Sequence, residues 1–251
     1  MANKGNDHNS EGSRYQDRYV AFVDILGFAS IVDARKSDSA QVERLNQALS
    51  RLSAKGAVEG AVAFPMEATN FSDTVVLSTT ISSDGLLLIF DAISRFTVDL
   101  LNMNMLLRGA VVRGALLHSA DVTFGPALVH AYRLESKTSF HPRVMIDQPV
   151  MADIEVYSAE PKHRAQFEKF VVTDSHDIPY LSPFAAWHDH PELDQENVER
   201  LIMLQTIIAT GLIQTARTPA ICEKYKWLAR KFNSFVLRRG LENKVSPIGV
   251  D

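Results

Sequence analysis

The chain has 251 residues, 46% hydrophobic and 22% charged, which is enough apolar material for one large domain or a domain with an appendage. A net charge of −4 and a pI near 6.1 argue against the basic face of a nucleic-acid binder, and the lone cysteine, Cys222, excludes an internal disulfide and fits a reducing compartment. No run reaches the ~18 apolar residues of a membrane helix: the nearest, Gly85 to Leu107, is interrupted by Asp91, Ser94, Arg95, Asp99 and Asn102, and the N-terminus lacks an apolar signal core, so the expected location is the cytoplasm without direct membrane association.

Met1 to Asp17 is polar and rich in Asn, Gly, Ser and charge, and reads as a disordered tail. Tyr19-Val20-Ala21-Phe22-Val23 is a short β-prone run that ends at Asp24, with Gly27 just beyond, as a buried strand feeding a turn or helix would. Val42, Leu45, Leu49 and Leu52 fall on one face of a helix over Ser39 to Ser53. Strands are expected around Met66 to Asn70 and over Thr74 to Ser78, with Asp73 at the hairpin tip. Ser83-Asp84 caps a helix that turns Leu86, Ile89, Phe90, Ile93, Phe96 and Leu100 inward. Leu107 to Leu117 reads as a strand carrying Gly109 and Gly114. Phe124-Gly125 precedes a helix with Leu128, Ala131, Tyr132 and Leu134 on its core side. Arg143 to Asp147 and Phe170 to Val172 are further strands, and Asp174 to Asp194 looks like a connection. Two helices follow, at about Glu196 to Ala216 and Ala220 to Arg238. This order predicts an α/β (α+β) layered domain, divided as a tail (1–17), a catalytic domain (18–190) and a helical extension (191–251).

Two carboxylates stand out. Asp24 ends a buried strand, where a charge is costly unless paired or bound to a cation. Gly27 and the helix start after it offer backbone N–H groups to phosphate. Asp73 sits in Asn70-Phe71-Ser72-Asp73-Thr74, between two apolar strands. Alone, each fits a bland role, a helix cap for Asp24 and a turn for Asp73. Side by side they would repel unless a divalent metal neutralised them against a triphosphate.

The ordered runs Arg108-Gly109-Ala110-Val111-Val112-Arg113-Gly114 and Phe124-Gly125-Pro126-Ala127-Leu128-Val129-His130-Ala131-Tyr132-Arg133-Leu134-Glu135-Ser136 join them. Here residues 18 to 150 resemble the catalytic domain of class III nucleotidyl cyclases: the Asp-Ile-x-Gly-Phe strand end (Asp24 to Phe28), the hairpin Asp (Asp73), the glycine-bearing strand (Arg108 to Gly114) and the Ala-x-Arg-Leu-Glu-Ser helix (Ala131 to Ser136). The resemblance implies a central mixed and antiparallel sheet flanked by helices. It also implies two divalent ions, Mn²⁺ or Mg²⁺, held by Asp24, Asp73 and the Ile25 carbonyl. Arg133 would stabilise charge on the α-phosphate across a head-to-tail homodimer with shared active sites.

Departures from that family bear on the base. Purine cyclases have Lys at the position of Thr69, an Asp-like residue at Pro126 and Asn at Val129. The purine-reading side chains are thus absent, and Gly27, Phe28, Thr69, Pro126 and Val129 become the expected substrate-binding positions. This pattern resembles the pyrimidine cyclases of bacterial Pycsar anti-phage systems, as does the helix Glu223-Lys224-Tyr225-Lys226-Trp227-Leu228-Ala229. The resemblance implies UTP, or CTP, as substrate, with the cyclic nucleotide activating a separate effector protein; His130 and Arg113 are the open donors for the missing Asn. A purine cyclase with an unusual pocket and a silent cyclase-like dimer that only binds nucleotide are the rivals. A metal phosphodiesterase would need clustered His and Asp motifs. Trp187-His188-Asp189-His190 has ligand-type residues but i, i+2 spacing in a Pro-rich connection, a poor metal site. Neither a Gly-x-Ser-x-Gly elbow nor a P-loop is present.

Overall fold

The computed structural model describes residues 14–33, 38–53, 66–138, 140–187 and 195–250. Residues 1–13 of the expected tail, and His188, Asp189 and His190, lie outside the described residues.

Strands β1 (Gln16–Leu26), β2 (Glu67–Phe71), β3 (Thr74–Thr80), β4 (Leu106–His118), β5 (Thr123–Phe124), β6 (Val144–Ile146), β7 (Val171–Thr173) and β8 (Pro179–Leu181) form one sheet. Its order is β2-β3-β1-β4-β6-β8-β7, with β5 paired to the end of β4. The β4–β6 pairing is parallel and the others are antiparallel, giving a mixed α/β domain whose sheet is mainly antiparallel. Helices α1 (Phe28–Val32), α2 (Ser39–Ser53), α3 (Ser83–Leu101), α4 (Pro126–Thr138), α5 (Gln148–Tyr157), α6 (Pro161–Phe170), α7 (Gln195–Thr215) and α8 (Pro219–Arg238) surround it.

Side-chain alternation sorts the strands onto two apolar layers. From β1, Tyr19, Ala21, Val23 and Ile25 enter a layer built with α2, α3, α5 and α6. Val20 and Phe22 point to the opposite layer, which takes in α4, α7 and α8. Because both faces are covered, β1 reads as a continuous apolar run. Helix α3 is fixed at its start by Ser82, whose side chain accepts a hydrogen bond from the Gly85 N–H, and all six of its expected inward residues are buried.

Several expectations shift. Strand β1 begins at Gln16, pairing Gln16 with Leu116 and Asp17 with Ala115, so the chain is ordered earlier than its polar composition suggests. Val42 is exposed and Ala48 takes its place in the core. On α4, Tyr132 is 55% exposed, while Ala127 and Glu135 are buried. The segment expected to be a connection holds β8 and a 3-10 turn, Ala185–Trp187, because Tyr180, Phe184 and Trp187 anchor it in the core. Helices α5 and α6 were not anticipated; their faces bury little besides Val150, Ile154 and Phe167.

Helices α7 and α8 share the core of the sheet's α4 side. Trp227 stacks on His141 at 5.5 Å and Phe184 meets Phe232 edge-on at 5.7 Å. The two helices touch closely at Gly211, where a Cβ would lie 2.2 Å from the Tyr225 ring. That ring is buried and its hydroxyl donates to the Asn104 carbonyl at 3.2 Å, so it cannot yield freely. Gly211→Ala is therefore expected to lower stability by about 1–3 kcal/mol through overpacking, although alanine favours a helix by about 1 kcal/mol; urea denaturation checks the sign.

Candidate functional site

Alternation places Asp24 on the same face of β1 as Val20 and Phe22, and register places it opposite Thr74 on β3 and Arg108 on β4. The Ile25 N–H donates to the Asp73 carbonyl at 2.8 Å, which clamps the hairpin tip against the end of β1. A strand residue's N–H and C=O point to one side, so the Ile25 carbonyl also opens toward the Asp73 hairpin. Asp24, Ile25 and Asp73 thus converge at one end of the sheet. Gly27 follows in a left-handed conformation, φ 95°, that lets the chain turn into α1. Phe28 tucks against the α2–α3 layer.

Arg108 organises the charge. Its Nε and Nη2 reach Asp24 Oδ2, each at 2.9 Å, and its Nε lies 2.7 Å from Glu135 Oε1. Glu135 is 3% exposed; its Oε2 accepts from the Ser136 hydroxyl, and its Oε1 has ion-pair proximity to Arg108 without hydrogen-bond alignment. Lys224 of α8 belongs to the same field. Burial lowers its pKa and the Arg108 charge lowers it further, whereas Asp24 opposes both. The Asp73 carboxylate has no partner among the described residues.

All-oxygen donors in this arrangement suit a hard divalent cation. Two carboxylates and a carbonyl do not complete a coordination sphere, and among the described residues no group of three or more His, Cys, Asp or Glu is placed to hold a metal ion. Sites of this kind are finished by substrate phosphates and water. The Asp73 carboxylate, unpartnered among the described residues and clamped beside Asp24, is the feature that fits such a cation.

Two cavities flank α4. One of about 380 Å³ lies over the sheet, lined by Phe22, Thr69, Phe71, Thr74, Val76, Thr123, Leu128, Val129 and Tyr132. The other, about 480 Å³, lies on the outer side of α4, lined by Tyr15, Phe124, Gly125, Pro126, Val129, His130 and Arg133. Val129 belongs to both. Thr69 and Val129 are therefore brought together, and Pro126, Val129 and Arg133 are brought together. Arg133 is not joined to the carboxylates: it is two residues from Glu135, about 200° around the helix, and faces outward. It makes no ion pair among the described residues.

The two open donors differ in placement. Arg113 faces the α5 layer, bound to Asp17 and Asp153, on the opposite side of the sheet from α4, so it is not available to this site. His130 stays on the outer face of α4 with its Nε2 2.8 Å from Asp147 Oδ2.

Beneath the smaller cavity runs a polar chain that sequence patterning does not suggest. Thr69 Oγ1 is 3.0 Å from Thr123 Oγ1 and 2.9 Å from His118 Nε2; His118 Nδ1 is 2.8 Å from Ser78 Oγ, which accepts from Arg18 Nε at 2.9 Å. These residues lie on five different strands, and only pairing unites them.

No family model matches the chain, and no curated protein does. Among solved structures, it is similar to the catalytic core of a rhodopsin-guanylyl cyclase with converted specificity in complex with ATPαS, with 15% identity over 68% of this chain and 97% of that one and a TM-score of 0.40.

Arg108 is the partner of two partly or fully buried carboxylates. Arg108→Met is expected to destabilise the fold by about 3–5 kcal/mol, because it strands the buried Glu135 charge. The double variant Arg108→Met/Glu135→Gln should recover most of that loss in thermal or urea unfolding.

Proposed function

We propose that this protein is a metal-dependent pyrimidine nucleotide cyclase that converts UTP to 3′,5′-cyclic UMP and pyrophosphate, with CTP as the alternative substrate. The observation that carries the reading is the clamping of Asp73 against Asp24 and Ile25, on the sheet face that also bears the Thr69–Val129 cavity. The motif resemblance at Asp24–Phe28, Asp73, Arg108–Gly114 and Ala131–Ser136 supports it.

In this reading the triphosphate lies along the end of β1. Asp24, Asp73 and the Ile25 carbonyl would hold two divalent ions, Mn²⁺ or Mg²⁺, whose charge would acidify the ribose 3′-hydroxyl and screen the phosphates. The 3′-hydroxyl gives its proton to solvent, its oxygen bonds to the α-phosphorus, the bond from that phosphorus to the bridging oxygen breaks, and pyrophosphate leaves with the electron pair. Arg108 aims the Asp24 carboxylate through its paired hydrogen bonds, and Lys224 adds positive charge beside it. The base enters the apolar cavity, where Thr69 and Val129 offer none of the purine-reading groups. Gly27 and Phe28 shape the turn that the phosphates approach.

Arg133 faces away from the carboxylates of its own chain, and so would act on a site completed by a second copy. Phe71, Phe124, Val129 and Tyr132 are exposed around the two cavities, an apolar rim suited to such a homodimer. We read residues 18–190 as the catalytic domain and 191–251 as its helical extension, and the product as a second messenger for a separate effector in anti-phage defence. Among the described residues no helix is long and apolar enough to cross a membrane, and a cytoplasmic enzyme is the location this reading takes.

A second reading, a dimer that binds nucleotide without turnover, has one observation in its favour: Arg108 already neutralises Asp24. Incubating the protein with Mn²⁺ and each of UTP, CTP, ATP and GTP, with products identified by mass, separates the two. Cyclic UMP or cyclic CMP is expected, a cyclic purine would overturn the base assignment, and no product would favour the silent module. Asp73→Asn should abolish turnover with the fold intact, and Arg133→Ala should slow it by roughly two to three decades. Mixing the two inactive variants should restore activity if each site draws on two chains; no recovery in mixed dimers would defeat the shared site.

A further inference from the structure

The polar chain beneath the smaller cavity has a direction, and the direction follows from counting protons. Arg18 can only donate. Its Nε–H goes to Ser78 Oγ at 2.9 Å and its Nη2 to the Ser78 carbonyl at 3.3 Å. Ser78 is fully buried, so its own hydroxyl proton needs an acceptor, and His118 Nδ1 at 2.8 Å is the one in reach. Were Nδ1 protonated instead, Ser78 would take two donors and its buried proton would have no acceptor among the described residues. Burial, followed by the Arg18 charge, pushes the His118 imidazole down to about 4, so the ring is neutral and carries its single proton on Nε2.

That proton goes to Thr69 Oγ1, 2.9 Å away. Thr69 and Thr123 then share two hydroxyl protons and one bond of 3.0 Å between them. Whichever of the two donates, one proton is left over, and both threonines line the cavity. With the opposite tautomer Thr69 would spend its proton on Nε2, Thr123 would spend its own on Thr69, and the cavity would be offered acceptors only.

We infer that His118 is a positioning residue: held as the Nε2–H tautomer by Ser78 and Arg18, it makes the Thr69–Thr123 pair present one hydrogen-bond donor to the cavity, which selects a base edge bearing a carbonyl. Uracil carries acceptors at both exocyclic positions, and cytosine carries one acceptor and one amino donor. With the position-4 edge of the base turned to the pair, uracil O4 accepts the proton where the cytosine amino group does not, and the relay favours uracil over cytosine. The identity of the occupant rests on the cyclase reading, whereas the tautomer and the donor do not.

Imidazole ¹⁵N NMR of the intact protein near pH 7 reads the tautomer directly. Protonation of His118 at Nε2 is expected; protonation at Nδ1, or at both nitrogens, overturns the inference. Equilibrium binding of the α,β-methylene analogues of UTP and CTP reads the consequence without turnover. The wild type should prefer the uridine analogue, and Ser78→Ala, which lies outside the cavity, should reduce that preference roughly tenfold, the worth of about one hydrogen bond. An unchanged preference in a folded Ser78→Ala protein, or no preference in the wild type, overturns the inference even if UTP is cyclised. A uridine preference with the Nε2–H ring but no cyclic product would defeat the cyclase reading and leave the relay supported.

Discussion

The register of the β1–β4 ladder is the constraint on which the rest of the molecule depends. Asp24 faces Arg108, Phe22 faces Ala110 and Arg18 faces Gly114, and parity then decides which layer each side chain joins. A slip of one residue would send every one of them to the other face. It would bury Asp24 and Arg18 among α3 and α5, and turn Tyr19 and Ile25 toward α4. The cost of that exchange, in stranded charge and exposed apolar area, holds the register. The carboxylate end and the polar chain are thus consequences of one pairing decision made along a long central strand.

Charge at the carboxylate end is compensated locally. Arg108 lies between Asp24 and Glu135, and Lys224 approaches from α8, so the last helix of the chain takes part in the electrostatics of the first strand. A buried ion cluster of this kind contributes little net stability but is costly to break. Its value lies in fixing where the Asp24 carboxylate points. Asp73 differs: it projects from a hairpin turn whose Ser72 has φ 57°, has no partner among the described residues, and is held only through its backbone. One carboxylate is aimed by a side chain and the other by the main chain.

What the sequence makes legible follows from how local each signal is. Helix α2 shows in a four-residue apolar spacing and α3 in a cap signal and a stripe; the α3 stripe is buried throughout, whereas its cap is Ser82 in place of the expected Ser83-Asp84, and Val42 of the α2 stripe is exposed. The Asp24 strand end and the Asp73 hairpin are likewise visible, because each is a charge set against a short apolar run. Tyr132 was misread because its spacing puts it on the core edge of α4, yet it packs on Phe22 from an exposed rim, ring centroids 5.7 Å apart. Strand β8 was hidden in a stretch rich in Pro, Asp and Ser, since only three residues pair. Arg108, Lys224 and His118 gave no signal for their roles: Arg108 reaches Asp24 across 84 residues, Lys224 meets the same pair from the last helix, and His118 reaches Ser78 across 40, and nothing local marks such a contact.

The sheet face beside α4 shows the same logic in its uncovered part. Helices α7 and α8 seal the half over β6 and β8, while the half over β2 and β3 stays open and apolar, with Phe71 81% exposed at its edge. Hydrophobic burial alone would close such a surface with a longer α4 or a further helix. The hydroxyls set into it are Thr69 and Thr123, small and uncharged, backed by a histidine that burial and a neighbouring arginine keep neutral. A charged group there would have cost desolvation; a wholly apolar floor would not tell one base from another. A polar chain buried under an apolar cavity, with its direction set by a fixed donor, gives discrimination without charge. In the proposed cyclase reading, that combination leaves the phosphates to the carboxylate end and the choice of base to the cavity.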